Sequence, residues 1–234
     1  MLLLALDAAT NRVSLALGEG EPGARRVLAE LEIPPETNSS ERLPQAIPEL
    51  LASAGKRLED LAAIVVGTGP GSLTGLRVAH ATGKGLAYAR KIPLLGVSSL
   101  EAMAFDAPHG PELLVPVLDA RRGDLYAGIF RRDGPNLLTL EPALALPAAA
   151  LAERLRDVGP LRLFGPAEPL ARAAFEEKGV AYASEGPHAP RAAALLQLAP
   201  APPAFELAPL FALEPRYVRA PESEWTLKPK KPKA

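Results

Sequence analysis

The order of apolar and polar positions in the first 106 residues predicts alternating strands and helices. Short apolar runs, and runs in which every second residue is apolar, indicate strands, whereas apolar residues three and four positions apart indicate helices. Glycine, proline, asparagine and aspartate cluster between these segments, as is typical of turns. The predicted elements are strands over 2–6, 13–17, 27–33, 61–66 and 92–98, and helices over 40–54, over 72–90 and from 99 onward. Their order is βββαβαβα.

The pattern of residues 107–200 predicts a shorter copy of the same order. The predicted elements are strands over 113–118, 124–130, 136–141, 161–164 and 180–183, and helices over 147–157, 168–179 and about 190–199. Two motifs recur at equivalent places: ALDAATNR matches VLDARRGD, which aligns Asp7 with Asp119, and VVGTGPGS matches RLFGPAEP. A repeated element order with repeated motifs indicates duplication. We therefore predict an α/β fold of two related lobes, 1–106 and 107–200, followed by a proline-rich and basic extension over 201–234.

The predicted helix over 40–54 has its own start and stop signals. Ser40 can cap its N-terminus and Gly55 can end it. Pro48 lies inside the helix and is expected to kink or loosen it. The apolar face of this helix includes Leu43, Ile47 and Leu50.

The segment GTGPGSLTG, between a predicted strand and a predicted helix, has the layout of a phosphate-binding loop. It is not part of a Walker loop, because the Gly-Lys pair at 83–84 is followed by glycine rather than by serine or threonine. It is not a dinucleotide fingerprint either, because the glycines of GPGSLTG within it are spaced as GxGxxxG, one residue longer than that fingerprint. Two interpretations stay open. The N–H groups of Gly71, Ser72 and Leu73 bind an anion at the helix N-terminus, or the glycines permit a tight turn that Ser72 caps.

The helix after this turn carries a row of small residues at intervals of four: Gly75, Ala79, Gly83 and Ala87. Glycine inside a helix costs about 1 kcal/mol relative to alanine, so a compensating contact is expected. Small side chains allow close approach either of the chain's own sheet or of a helix from another subunit. The residues that flank this row are Leu73, Leu76, His80 and Leu86.

Basic residues give the same helix a local positive charge. Arg77, Lys84, Arg90 and Lys91 lie in a stretch without acidic residues. An acidic partner or a phosphate is expected to suit this charge.

Composition and charge exclude several classes of function. The 234-residue chain has 48% hydrophobic and 23% charged residues, which are ordinary globular values. A net charge of -1 and 5% aromatic residues disfavour direct binding of nucleic acid. The absence of cysteine excludes disulfides, thiol catalysis and cysteine metal sites. The apolar start MLLLAL has no basic flank and is followed at once by Asp7, so neither a signal peptide nor a membrane association is expected, and the predicted location is cytoplasmic.

Few side chains are candidates for catalysis or metal binding. His80, His109 and His188 form no HxxxH pair, which excludes a zincin site, and no metal site is predicted. Asp7 and Asp119 each end a predicted strand. They can hold Mg²⁺–nucleotide across a cleft between the lobes, or each can cap its own turn.

The sequence resembles the TsaB (YeaZ) family. The segments that carry the resemblance are LALDAATNRVSLAL, SSERLPQAIPELL, IVVGTGPGSLTGLRVAHATGKGLA, IPLLGVSSLEAMA, VLDARRGDLYAGIF and EPRYVR. They cover most of residues 2–130 and one piece near the C-terminus, and GPGSLTGLR followed by GVSSLEA is highly specific. The resemblance implies two duplicated βββαβαβα lobes of the actin-like ATPase (ribonuclease H-like) type, which agrees with the pattern above.

The resemblance also implies a function without catalysis. Proteins similar to TsaB act as a scaffold or activator for the catalytic relative TsaD, which works with the ATPase TsaE to transfer a threonylcarbamoyl group to adenosine next to the tRNA anticodon. It further implies a homodimer or a pair with TsaD through first-lobe helices, contact with tRNA only through the complex, and no cofactor of its own, with ATP or ADP within the complex. The expected partner-interface residues are Leu43, Ile47, Leu50, Leu73, Gly75, Leu76, Ala79, His80, Gly83, Leu86 and Ala87. The expected remnants of a nucleotide or phosphate site are Asp7, Thr10, Gly69, Gly71, Ser72 and Asp119.

The sequence departs from the family pattern at several positions. Ala8 stands where relatives usually have threonine, Ser39 replaces a common histidine, and Leu73 replaces phenylalanine. The chain also has no Gly-Gly pair, which active kinases of the superfamily commonly use at the adenosine. The alternative hypothesis is a self-sufficient ATPase or small-molecule kinase, and the missing pair argues against it. That alternative would use Asp7, Thr10, Ser72 and Asp119.

Overall fold

The computed structural model describes residues 1–110, 112–185 and 188–218, apart from the side chain of Ser39. The basic end of the predicted extension, 228–234, lies outside the described residues. The side chain of Ser39, which replaces the histidine common in relatives, also lies outside the description. None of the helices in the described ranges has the length and apolar character needed to span a membrane.

The described residues form ten strands and seven α-helices. The strands and the first six helices follow the predicted order, whereas the last helix lies in the extension, where no helix was predicted. The elements up to residue 106 are β1 (Leu2–Asp7), β2 (Val13–Glu19), β3 (Arg26–Ile33), α1 (Ser39–Ser53), β4 (Leu61–Gly67), α2 (Leu73–Arg90), β5 (Leu94–Val97) and α3 (Ser99–Asp106). The elements after it are β6 (Leu113–Asp119), β7 (Asp124–Asp133), β8 (Asn136–Pro147), α4 (Ala148–Arg154), β9 (Leu161–Phe164), α5 (Glu168–Glu177), β10 (Ala183–Ser184), α6 (Ala192–Leu198) and α7 (Leu207–Ala212).

Each lobe is built on a five-stranded mixed sheet, and the two sheets have equivalent strand orders. The first is β3-β2-β1-β4-β5, with an antiparallel β1–β2–β3 meander and with β4 and β5 parallel to β1. The second is β8-β7-β6-β9-β10, with the same directions. This repetition confirms the predicted fold class, an α/β protein of two duplicated lobes of the actin-like ATPase (ribonuclease H-like) type.

The first sheet is buried on both faces because side chains alternate along its central strand. Leu4 and Leu6 pack in a cluster with residues of α1 and α2, whereas Leu3 and Ala5 pack in a cluster with residues of α3 and α6. All four side chains are completely buried. A run of apolar residues such as LLLAL therefore forms a strand covered by helices on both sides.

Helix α6 packs on a different lobe from the one that its sequence position suggests. It lies at the end of the predicted second lobe, but it covers the first sheet, against Leu3, Ala5 and Val65. Those side chains would otherwise face water. The equivalent face of the second sheet does not need α6, because Leu100 and Met103 of α3 already cover it.

Arg25 holds the C-terminal end of α6. Its side chain is buried, and its guanidinium donates hydrogen bonds to the carbonyl oxygens of Leu196, Ala199 and Pro200 at 2.5, 2.6 and 3.0 Å. The last carbonyls of a helix have no partner within the helix, so this charged donor satisfies groups that would otherwise be buried without a hydrogen bond.

Replacing Arg25 with alanine is expected to lower the free energy of unfolding by about 3 kcal/mol, because buried carbonyl groups lose charged hydrogen bonds. Urea denaturation followed by circular dichroism measures this loss. The matched control is Arg26→Ala, since the Arg26 side chain is 74% exposed and pairs with Glu19 at the surface. Its loss is expected to stay below about 1 kcal/mol. Equal losses in the two variants would contradict this role of Arg25.

Helix α1 begins one residue earlier than predicted and has a different cap. The Asn38 side chain accepts a hydrogen bond from the Ser40 N–H at 3.2 Å, so Asn38 is the capping residue instead of Ser40. The helix is continuous across Pro48, which is exposed, so the carbonyl that lacks a helical partner there is accessible to water. Gly55, with φ of 63°, follows the end of the helix as predicted.

Strand β8 continues to Pro147, six residues beyond its predicted end at 141. Pro142, directly after the predicted end, cannot donate a hydrogen bond to a neighbouring strand. β8 lies at the edge of its sheet, where only one side is paired, and proline is tolerated there.

Residues 205–217, here called the C-terminal strap, lie along α2. The Lys84 ammonium is 2.6 Å from a carboxylate oxygen of Glu214, and the Arg216 N–H donates to the Thr68 carbonyl at 2.8 Å. Helix α7, within the strap, also packs against α2. The first part of the predicted extension therefore belongs to the packed structure of the first lobe.

Candidate functional site

A cleft of about 830 Å³ lies between the lobes. Its volume is in the range of small-molecule binding sites. The residues that line it are Ala9, Thr10, Asn11, Gly71, Ser72, Leu73, Thr74, Arg77, Leu118, Asp119, Ala120, Arg121, Tyr126, Pro166, Arg216 and Tyr217. Its charged lining residues are Arg77, Arg121, Arg216 and one acid, Asp119, so the cleft has an excess of positive charge.

Asp7, an expected remnant of a nucleotide site, does not line this cleft. Its carboxylate is 1% exposed and accepts hydrogen bonds from the Ala9 N–H at 2.8 Å and from the Ser99 hydroxyl at 2.6 Å. The Ser99 oxygen in turn accepts from the Gly69 N–H at 3.2 Å. Asp7 and Gly69 therefore belong to a buried network that ties β1 to α3 and to the glycine-rich turn. This corrects the expectation that they face a ligand.

Burial also makes Asp7 sensitive to pH. It raises the pKa of Asp7 from 3.8 to about 6, and the hydrogen bonds from Ser99 and Ala9 oppose this rise only in part. Because the folded state then holds a proton that the unfolded state has lost, the free energy of unfolding falls as the pH rises from about 4 to about 6, and it stays lower above that range. The size of this contribution is about 3 kcal/mol.

Asp7→Asn is expected to remove this part of the pH dependence, because asparagine does not titrate. The measurement is urea denaturation of both proteins at several pH values between about 4 and 7. The free energy of unfolding of the variant minus that of the unmodified chain is expected to increase by about 3 kcal/mol as the pH rises over that interval. A constant difference between the two proteins would show that Asp7 ionises normally in the folded state.

The glycine-rich turn packs tightly against the turn that follows β1. The Ser72 N–H donates to the Ala9 carbonyl at 2.7 Å, and a Cβ at Gly71 would lie 2.1 Å from the same oxygen. The Ser72 hydroxyl accepts from the Gly75 N–H at 3.2 Å, so Ser72 caps α2 as predicted. These contacts favour the tight-turn interpretation over anion binding, since the Ser72 N–H is already used within the chain.

Thr10 and Asp119 do line the cleft, and each also closes a local turn. The Thr10 hydroxyl bonds to the backbone of Arg12 at 3.1 and 3.2 Å. A carboxylate oxygen of Asp119 accepts from the Arg121 N–H at 2.6 Å. The structure thus places Asp119 at the cleft, whereas Asp7 is buried and does not line it.

The small-residue row of α2 faces the chain's own sheet. A Cβ at Gly75 would lie 2.2 Å from the Ala8 carbonyl oxygen, and one at Gly83 would lie 2.8 Å from the Val66 side chain. Ala79 and Ala87, the other members of the row, are completely buried. The expectation that this row receives a partner helix is therefore corrected, because the contact that compensates for its glycines is internal.

Most of the other expected interface residues are also part of the core. The buried ones are Leu43, Ile47, Leu50, Leu76 and His80. His80 lies with Nε2 3.3 Å from the Gly67 carbonyl, and burial lowers its pKa. Leu73 is 38% exposed and Leu86 is partly exposed, so these two leucines are the residues of the expected set with the most surface available to a partner.

The basic side chains of α2 have partners within the chain. Lys84 pairs with Glu214, as described above, and Arg90 donates to the Glu59 carbonyl at 3.2 Å. The Arg77 guanidinium lies against the ring of Tyr217. The contacts of Lys84 and Arg77 hold the C-terminal strap on α2. The basic side chains that were expected to attract an acidic partner are thus partly engaged in contacts within the chain.

A second concave surface, here called the α1–α2 groove, has a volume of about 270 Å³. It is mainly apolar, with two basic residues among its lining. The residues that line it are Pro44, Ile47, Pro48, Leu51, Ala52, Lys56, Arg57, Leu58, Thr82 and Leu86. Ile47 and Leu86 were expected at an interface, whereas the others were not.

Gly85 lies on the exposed side of α2, close in sequence to the groove residues Thr82 and Leu86. It is exposed, and a Cβ at this position would have no atom of the chain within 4 Å. Nothing inside the chain therefore compensates for a glycine in the middle of this helix. The sequence contains a sign of this exposed position, because the GKG motif at 83–85 places two glycines on different faces of the helix. Only Gly83 fits the four-residue spacing of the row, so Gly85 was not among the expected interface residues.

Comparison with known sequences places the chain among proteins of tRNA modification. Residues 32–161 match the family model of TsaD, tRNA N6-adenosine threonylcarbamoyltransferase. The chain is 31% identical to the tRNA threonylcarbamoyladenosine biosynthesis protein TsaB of Bacillus subtilis (strain 168), over 96% of each chain. It is 35% identical to the TsaB protein of Escherichia coli (strain K12), over 57% of this chain and 56% of that protein.

Solved structures agree with the sequence comparisons. YeaZ from Pseudomonas aeruginosa superimposes with a TM-score of 0.67 at 28% identity, over 85% of this chain and 90% of that one. Another Pseudomonas aeruginosa protein, described as similar to peptidase YEAZ, superimposes with a TM-score of 0.75 at 26% identity, over 93% of this chain and 99% of that one. The near-complete match to a TsaB protein and the shared fold show that the chain belongs to the TsaB (YeaZ) family.

Proposed function

We propose that the chain is a non-catalytic partner of a TsaD-like subunit in the biosynthesis of threonylcarbamoyladenosine in tRNA. The role in this tRNA modification follows from its membership of the TsaB family. The finer assignment, a scaffold or activator that docks on TsaD, rests on the features of the two surfaces described above.

The α1–α2 groove is the observation that carries the proposal. It is an apolar concave surface on the first lobe, and apolar surface at the centre of a contact is what stabilises protein association. A Cβ at Gly85, which is close in sequence to groove residues Thr82 and Leu86, would have no atom of the chain within 4 Å, so this position leaves room for the close approach of a partner helix. We therefore assign the docking surface to the groove and the exposed side of α2, in place of the buried small-residue row.

The cleft supports a role without catalysis. Asp7 is committed to buried hydrogen bonds with Ala9 and Ser99, so it is not positioned to hold a metal–nucleotide complex. Asp119 caps its own turn through the Arg121 N–H. Because Asp7 is buried and Asp119 closes a local turn, these acids are poorly arranged for phosphoryl transfer, which depends on groups held around the phosphates.

The proposal includes further partners. A TsaE-like ATPase would join the complex, and ATP or ADP would act there without being a resident cofactor of this chain. In the absence of TsaD, the same groove can pair two copies of the chain. Contact with tRNA would be made through the complex, in the cytoplasm.

Reconstitution of the modification tests the proposal. Transfer of threonylcarbamoyl to tRNA by TsaD and TsaE of the same organism is expected to require this chain, and the chain alone is expected not to turn over ATP. Asp119→Asn is expected to leave the transfer rate unchanged to within about twofold, as for a surface substitution away from the reacting groups. ATP turnover by the purified chain, lost in Asp119→Asn, would instead support the alternative of an ATPase or kinase.

A further inference from the structure

Helix α7 carries apolar residues on every side. Its six residues, Leu207–Ala212, have the sequence LAPLFA, without a polar side chain. Of these six described residues, Leu210 alone is buried, and it packs in the core cluster that also contains residues of α1 and α2. A surface helix normally turns polar residues to water, and a helix that is apolar all round is normally covered. The outer side of α7 is therefore an apolar surface of the kind that a partner covers.

The exposed side of α7 forms an apolar patch with a tyrosine of α2. Leu207 and Phe211 are four residues apart, so they lie on one face of the helix. The Phe211 ring lies against the ring of Tyr88, with 6.2 Å between the ring centres. Each of these three side chains is at least half exposed, and together they are here called the α2–α7 patch. Tyrosine and phenylalanine are enriched in protein interfaces relative to the rest of the surface.

Internal contacts of the strap fix the patch in place. The Lys84 ammonium donates to the Phe211 carbonyl at 3.2 Å and lies 2.6 Å from a carboxylate oxygen of Glu214, so α2 binds the end of α7. Leu213 packs closely on Gly96, where a Cβ would lie 2.7 Å from the leucine side chain. Because the strap is already anchored beside the patch, less conformational entropy is lost when a partner binds there.

The patch and the α1–α2 groove lie on opposite flanks of the exposed side of α2. Leu86 lines the groove together with residues of α1, whereas Tyr88 contacts Phe211 of α7. Successive residues of a helix are about 100° apart around its axis, which places Gly85 between Leu86 and Tyr88. Gly85 is exposed. The groove, Gly85 and the patch therefore adjoin around one helix.

The α1–α2 groove is too small to carry a stable complex by itself. Ten of the described residues line it, whereas a stable protein interface takes about 800 Å², or about 20–30 residues, from each partner. The interface must therefore extend beyond the groove. The α2–α7 patch, on the other flank of Gly85, provides large exposed apolar side chains for this extension.

We propose that Tyr88 and Phe211 bind an apolar side chain of the TsaD-like subunit and anchor its contact with the C-terminal strap. This inference rests on the docking role proposed above and adds the strap to the interface. The partner side chain is aliphatic or aromatic, because the patch offers apolar groups and the nearby carboxylate of Glu214 is already paired with Lys84. A segment of the partner that crosses Gly85 reaches both the groove and the patch.

Phe211→Ala is expected to weaken the binding of TsaD of the same organism by about 30-fold, as for an anchor residue of an interface. Titration calorimetry with the full chain measures the affinity. Because the Phe211 side chain is more than half exposed, the stability in urea is expected to be unchanged. The matched control is Leu170→Ala, which truncates a half-exposed apolar residue on α5 of the second lobe and is expected to leave the affinity unchanged.

Tyr88→Ala tests the same contact from α2. Alone, it is expected to weaken the binding of TsaD by about 10-fold. In the double variant with Phe211→Ala, the loss is expected to be smaller than the product of the two single losses, because both rings contact the same side chain of the partner. A loss equal to that product would overturn the shared contact.

One comparison separates a failure of this inference from a failure of the docking role. If Phe211→Ala and Tyr88→Ala bind TsaD as tightly as the unmodified chain while Gly85→Leu does not, the docking role stands and the patch lies outside the interface. If the unmodified chain does not bind TsaD, both proposals are overturned.

The same variants identify any other occupant of the patch. Unchanged affinity for TsaD together with a lower molar mass of the Phe211→Ala chain alone would assign the patch to a second copy of the chain. Unchanged affinity together with a loss of stability in urea would mean that the chain itself covers the patch. Either result would overturn the proposal.

Discussion

A chain with Gly75→Leu is expected not to fold. A Cβ at this position would lie 2.2 Å from the Ala8 carbonyl oxygen, which belongs to the backbone directly after β1. Backbone cannot move aside as the end of a flexible side chain can, and Ala8 is itself buried. We expect a loss of more than about 4 kcal/mol, which exceeds the effect of most single substitutions and consumes most of the stability of a typical domain.

The measurement is far-ultraviolet circular dichroism with urea denaturation, and Gly85→Leu in the same helix is the matched control. Because Gly85 has open space around its Cβ position, leucine there is expected to be neutral or to stabilise by up to about 1 kcal/mol. A folded Gly75→Leu protein of unchanged stability would show that α2 does not pack on the Ala8 turn as described.

Gly85→Leu is expected to weaken the binding of TsaD by about 30-fold or more while the fold is retained. Leucine would fill the space through which the partner helix approaches, and a change at the centre of an interface typically costs about 2 kcal/mol or more. Titration calorimetry with TsaD of the same organism measures the affinity.

The control for this effect is Ala173→Leu, which also places leucine at an exposed position of a helix, on α5 of the second lobe. It is expected to leave the affinity unchanged. Equal affinity of the Gly85→Leu chain and the unmodified chain would exclude the exposed side of α2 from the interface.

Local pattern was sufficient for the element order and for the duplication. The strands and helices differ in hydrophobic period, and this period depends on neighbours in sequence. The two Asp-containing turns and the two Gly-Pro turns then fall at equivalent places of the two sheets. The same pattern could not assign α6 to a lobe, because that depends on which sheet face lacks cover, a property of distant residues such as Leu3 and Val65.

The sites were predicted less well, because spacing identifies a helix face without showing what that face contacts. Gly75 and Gly83 form a regular row, and the structure places that row against Ala8 and Val66. Gly85, two positions further, is the exposed glycine. Asp7 presents the same difficulty, since a strand followed by a turn predicts its position but not the burial produced by Ser99, which is 92 residues away in sequence.

We propose that this chain acts by docking on TsaD, and the most direct test of that docking is the molar mass of the proteins in solution. Light scattering on a gel-filtration column gives this mass for the chain alone and for its mixture with TsaD, with and without ATP. We predict a species whose mass is that of a complex containing both proteins, absent when Gly85→Leu replaces the unmodified chain. A mixture that elutes as the two separate proteins, with and without ATP, would contradict the claim.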